Sequence, residues 1–158
     1  MLTAAHCYFD ALASGNHNGD IDVIVGEHSI TTESDGTRHE TCKRMVTHPN
    51  YNGGTKRFDA GILHLSTPVT LGPRAVPACL PDASFAGDFL ARKTLTVSGW
   101  GSLASGQQGP TVLHKVDVPG MSQEQCNANY RGQITTDMLC AGVPQGGIDS
   151  CQGDSGGK

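Results

Sequence analysis

Two five-residue strings at opposite ends of the chain constrain its fold more than anything between them. Thr3-Ala4-Ala5-His6-Cys7 and Gly153-Asp154-Ser155-Gly156-Gly157 hold a candidate base and a candidate nucleophile. A serine hydroxyl is a weak nucleophile at neutral pH. It needs an imidazole to take its proton, and the imidazole needs a carboxylate to fix its tautomer and stabilise the imidazolium. His6, Asp59 and Ser155 supply these groups in the order base, orienter, nucleophile, so the expected fold brings the two chain ends together around Asp59. Gly153 and Gly156 leave room for substrate backbone beside the serine and let the N–H groups of Gly153 and Ser155 converge on one oxyanion. At ordinary residue frequencies a specified string of five arises at roughly one position in a million. Two such strings in functional order argue against coincidence.

The connecting sequence reads as short strands. The chain has 158 residues, 21 of them Gly and 8 Pro, which suits many turns and few long helices. Apolar alternation marks residues 21–25 and 43–46, a mostly apolar run covers 60–65, and strands resume at 94–97 and 112–116. Only residues 122–130 have helical character, with Ser122 at the N-cap and Gln125 at the capping-box position. Residues 68–91 carry four of the eight prolines and little alternation, and read as a crossing between two halves. A formal net charge of -4 gives no reason to expect nucleic acid as a partner. No apolar run is long enough to span a membrane, and neither a signal peptide nor an internal repeat is present. Six cysteines without a Cys-x-x-Cys pair fit disulfides better than a zinc site, and so an oxidising, extracellular compartment.

Four further segments carry a resemblance: Phe58-Asp59-Ala60-Gly61-Ile62-Leu63, Val97-Ser98-Gly99-Trp100-Gly101, Ala78-Cys79-Leu80-Pro81 and His48-Pro49-Asn50-Tyr51. With the two terminal strings, they make nearly the whole chain resemble the trypsin/chymotrypsin family of serine endopeptidases. The resemblance implies an all-β fold of two six-stranded antiparallel Greek-key barrels, incomplete in this chain and truncated at both ends. Residues 1–72 would be the remainder of the first barrel, 73–93 the crossing and 94–158 part of the second. It also implies His6 as general base, Asp59 as orienting carboxylate, Ser155 as nucleophile, and Gly153 with Ser155 as the oxyanion hole. Asp149 would be the floor of a substrate pocket selecting Arg or Lys, with Ser150 and Gln152 also binding substrate. Asp154 would pair with an N-terminal ammonium released from a zymogen, a partner this chain lacks, so the fragment alone is expected to be inactive. Cys126 and Cys140 would form a disulfide, whereas Cys7 and Cys151 would have partners outside the chain. Cys79 resembles a cysteine that tethers a prosegment, and Cys42 has no counterpart beyond a weak pairing with Cys79. The implied protein is a secreted monomer that acts on protein and peptide substrates, meets protease inhibitors and needs no cofactor for its chemistry. A departure from the family is Ala60-Gly61, where larger apolar residues are commoner, and looser packing is expected there.

Plainer readings stand beside these. Asp149 follows Gly146-Gly147 and could be a solvated loop residue. Glu27, Glu33, Asp35 and Glu40 form an acidic loop where some trypsins bind calcium, but their spacing departs from that pattern and a solvated turn is the simpler reading. His17, His28, His39, His48, His64 and His114 read as surface or strand histidines. The alternative at the level of function is a non-catalytic protease homologue acting as a binding or regulatory module. Such proteins usually lose a triad residue, and all three are present here.

Overall fold

The computed structural model describes residues 1–15, 21–32, 37–82, 90, 91 and 93–157, and only the backbone within 37–44. The elements run β1 (Leu2–Thr3), α1 (Ala5–Ala13), β2 (Asp22–Val25), β3 (Thr37–Thr47), β4 (Gly61–Leu65), β5 (Thr94–Gly99), β6 (His114–Met121), α2 (Gln123–Asn129) and β7 (Cys140–Ala141). They build two antiparallel sheets, a four-stranded one in the order β1-β4-β3-β2 and a three-stranded one in the order β5-β6-β7.

The expected pair of barrels is not what forms. Both strand orders are linear, with β1 and β2 as the edges of one sheet and β5 and β7 as the edges of the other. No pairing joins these edges among the described residues. Closing a sheet requires enough strands, tilted and staggered consistently. Strands β1 and β7 have two residues each, too short a ladder for that closure. The alternation in the sequence is nevertheless real within each sheet. Along β2 and β4, Val23, Gly61 and Leu63 are buried while Ile24, Ile62 and His64 are exposed, as the two-residue period of a strand requires.

Val23, Met45 and Leu63 form the core of the first sheet, with Tyr8, Ile21, Val25 and Leu65 packed against it. Each such apolar side chain stabilises the fold by about 1.5–3 kcal/mol when fully buried. Gly61 pairs with Thr3 on one side and Thr47 on the other. The space a side chain would fill there is taken by the terminal methyl of Met45, so the looser packing expected at Ala60-Gly61 is not found. A flexible thioether has moved into the gap.

Helix α1 was not foreseen. It delivers Tyr8 to the core, and Phe9 stacks on Tyr51 with ring centroids 5.5 Å apart. Helix α2 begins where expected: Ser122 accepts the N–H of Gln125, and the Gln125 side chain returns to the Ser122 N–H, completing a capping box. Cys126, 1% exposed, is joined by a disulfide to Cys140 on β7, with Cα atoms 6.1 Å apart. Closing a loop of this size contributes roughly 3 kcal/mol by the chain-entropy argument. Cys7, Cys79 and Cys151 are free thiols, and the Cys42 side chain lies outside the described residues. Among the described residues no helix is long and apolar enough to cross a membrane.

Candidate active site

His6 lies in the first turn of α1, where backbone N–H groups have no helical partner. Ala4, the residue at the cap, offers no side-chain acceptor. The acceptor comes from Asp59 instead: its Oδ1 receives the His6 N–H at 2.8 Å. Its Oδ2 lies 2.6 Å from His6 Nδ1. One carboxylate thus caps the helix, where a negative charge is favoured, and also holds the imidazole. The two side chains are 22% and 21% exposed, so the pair is largely but not wholly shielded. With Nδ1 donating to a carboxylate, Nε2 is the nitrogen left as a base.

The Ser155 loop packs against the same end of α1. Gly156 has φ +78°, and a Cβ there would collide with Thr3 Oγ1 and crowd Cys7 Sγ. Only glycine allows this approach at that backbone angle. The Thr3 hydroxyl donates to the Gly156 carbonyl at 3.4 Å. Ser155 is exposed and has no hydrogen-bond partner among the described residues. The expected bond from Ser155 to His6 is therefore not formed: His6 Nε2 is 3.7 Å from Cys7 Sγ instead. Such bonds often tighten only when substrate is bound. Burial, with the carboxylates of Asp59 and Asp10 adding to it, pushes the Cys7 thiol above its ordinary pKa. Cys7 is thus a protonated neighbour rather than a rival nucleophile. The N–H groups of Gly153 and Ser155 also have no acceptor among the described residues.

Asp154 is satisfied without an ammonium. Its Oδ1 accepts the Gly101 N–H and its Oδ2 the Cys151 N–H, both at 2.9 Å. The carboxylate occupies the space that a Cβ on Gly99 or Gly101 would need, which explains the two glycines around Trp100. Asp149, Ser150 and Gln152 lie on an exposed loop. Asp149 Oδ1 accepts the N–H of Ser150 at 2.8 Å, and the Gln152 carbonyl accepts the N–H of Ser102 at 2.8 Å. A cavity of about 480 Å³ lies elsewhere, lined by Ile24, Gly26, Glu27, His28, Arg74 and Trp100. It includes none of the residues expected to act in catalysis or specificity. Of the acidic loop, Glu27 caps the N–H groups of His28 and Ser29, whereas Glu33, Asp35 and the Glu40 side chain lie outside the described residues. No group of three His, Cys, Asp or Glu among the described residues could hold a metal ion.

Sequence reasoning missed the contacts made by the turn that leads into Asp59. Lys56 and Phe58 are left-handed, with φ of 56° and 52°, conformations that cost about 1–3 kcal/mol each outside glycine and persist only where surrounding contacts impose them. The Phe58 ring stacks on His48 with centroids 4.9 Å apart, and the Arg57 guanidinium lies 5.0 Å from its centroid. The Phe58 carbonyl accepts the Ala60 N–H at 2.8 Å, closing a tight turn with Asp59 at its corner. From the second half of the chain, Asp137 accepts the Phe58 N–H at 2.9 Å and the Arg57 Nε and Nη2 at 3.1 and 3.0 Å. No local motif announces a partner 79 residues away.

The chain matches the family model described as Trypsin over residues 1–157. It is 39% identical to Serine protease 1 of Rattus norvegicus, over 99% of this chain and 59% of that protein. Identity to Trypsin of Sus scrofa is 37%, over 99% and 63% respectively. Identity to the Clotting factor G beta subunit of Tachypleus tridentatus is 35%, over 99% and 52%. The chain thus spans a little over half the length of these relatives.

Proposed function

The chain belongs to the trypsin family, and from that premise we propose that it carries the catalytic groups of a secreted serine endopeptidase cutting after Arg or Lys. The observation that carries this reading is the double hydrogen bond of Asp59 to the backbone and ring of His6. In the reaction, His6 Nε2 takes the Ser155 proton as Oγ bonds to the scissile carbonyl carbon. The N–H groups of Gly153 and Ser155 hold the oxyanion, a donor of this kind being worth about 2.7–4 kcal/mol in the transition state. Collapse breaks the C–N bond, His6 gives its proton to the leaving amine, and water then releases the acyl group by the same steps. Asp149 pairs with the substrate cation. Partners are protein or peptide substrates and protease inhibitors.

The test is labelling of the full-length protein by a fluorophosphonate, read by mass spectrometry. Wild type should carry the adduct on Ser155, Ser155→Ala should carry none, and His6→Ala should react orders of magnitude more slowly. A folded wild type that stays unlabelled would favour a non-catalytic binding module. Asp149→Ser should remove most of the preference for Arg or Lys in kcat/KM while leaving labelling intact. A profile dominated by aromatic residues in the wild type would refute the specificity.

A further inference from the structure

We propose that Asp137 is a positioning residue that holds Asp59 against His6 by clamping the turn that precedes it. The inference rests on the catalytic reading above. Asp59 follows a turn in which Lys56 and Phe58 are left-handed, and Phe58 directly precedes it. A bulky residue with φ of 52° reverts to ordinary backbone unless something opposes it. Asp137 supplies that opposition at two points, accepting the Phe58 N–H with Oδ2 and the Arg57 guanidinium with Oδ1. Asp137 lies at the surface, but its side chain is 13% exposed and its carboxylate is fixed by the Thr135 hydroxyl at 2.7 Å. The clamp is therefore itself held from behind.

Its consequence for the site is geometric. Phe58 and Asp59 share a peptide plane, so letting Phe58 relax turns the Asp59 backbone and withdraws a carboxylate that meets His6 at 2.6 and 2.8 Å. A displacement of about 1 Å at a catalytic contact can cost on the order of a hundredfold in rate. Asp137 reaches this turn from the half of the chain that carries Ser155. The base and its orienter in one half are thus tied by a side chain of the other.

The experiment compares full-length wild type, Asp137→Ala and Asp137→Asn by proton NMR of the His6 Nδ1 hydrogen and by steady-state kinetics on a small amide substrate. Asp137→Ala should lose the low-field Nδ1 resonance and about a hundredfold in kcat with KM unchanged. Asp137→Asn keeps an acceptor for the Phe58 N–H, and should retain the resonance and most of kcat. A folded Asp137→Ala with the wild-type resonance and kcat would overturn the proposal, as would a wild type lacking the resonance. If Asp137→Ala does not fold, Asp137→Ser decides, since its hydroxyl is too short to span Arg57 and Phe58 and should show the same losses. The resonance does not involve Ser155. An unlabelled wild type therefore defeats the protease reading while the clamp is still decided, and a labelled wild type with an indifferent Asp137→Ala defeats the clamp alone.

Discussion

Gly61 and Met45 share one space, and the effect of changing either depends on the other. Adding a methyl at Gly61 pushes on the Met45 terminal methyl, with Sδ at 3.3 Å and Cγ at 3.5 Å behind it. Overpacking of this kind costs about 1–3 kcal/mol, and the flexible thioether puts Gly61→Ala at the low end. In a Met45→Ala background the space is empty, and the same change should instead stabilise by about 0.5–1 kcal/mol, because alanine loses less backbone entropy than glycine. A double-mutant cycle in urea reads the reversal of sign, and additive effects would show that the two side chains do not meet. The sequence shows a glycine within an apolar run, but not where the filling atom comes from. His6, Asp59 and Ser155 stand out as candidates in the sequence because acyl-transfer chemistry demands those residue types in recognisable strings, and the structure brings His6 and Asp59 into contact. Arg57, His48 and Asp137 do not stand out, because a carboxylate or a ring that supports a turn has no required neighbours in sequence.

At the scale of elements, the two helices differ in where their caps come from. Helix α2 carries Ser122 and Gln125 in its own first residues, so it could be read directly. Helix α1 has no capping side chain at Ala4, no acid in its first turn and no base in its last. Its cap is Asp59, 53 residues away, and no local reading of the chain could supply it. The strands were legible from their alternation, but whether they close into barrels depends on edge pairing, which alternation does not encode. A carboxylate that caps a helix must matter for stability as well as chemistry. Asp59→Ala should therefore destabilise the fold by about 0.5–2 kcal/mol, whereas Asp59→Asn, which keeps an acceptor oxygen for the His6 N–H, should cost less. Urea midpoints of the two variants test this, and equal midpoints would mean that α1 does not depend on the cap.

At the scale of the whole molecule, several backbone and polar contacts join the two halves of the chain. Ser29 bridges to Val112, flanked by bonds from Ile30 N–H to Thr111 and from Leu113 N–H to His28, and Trp100 Nε1 donates to the His28 carbonyl at 3.2 Å. Thr3 meets Gly156 beside Ser155. The contact of Asp137 with Arg57 and Phe58 adds a charge to this set. The Thr135 hydroxyl first, then the Phe58 N–H and the Arg57 guanidinium, hold the Asp137 carboxyl down from the ordinary 3.8 to about 2. A carboxyl whose pKa is lower folded than unfolded binds its proton more tightly in the unfolded chain. Its contribution to stability is therefore complete above the unfolded pKa and is lost as pH falls toward the folded one. The difference in Tm between wild type and Asp137→Asn should stay level from neutral pH down to the unfolded value of 3.8, then shrink and vanish as pH approaches about 2. Other carboxylates titrate across the same range, but they do so in both proteins and cancel in the comparison. A difference that persisted at the acid end would mean that the ionised carboxylate is not what ties Asp137 to the turn before Asp59, and that shape alone holds the two halves there.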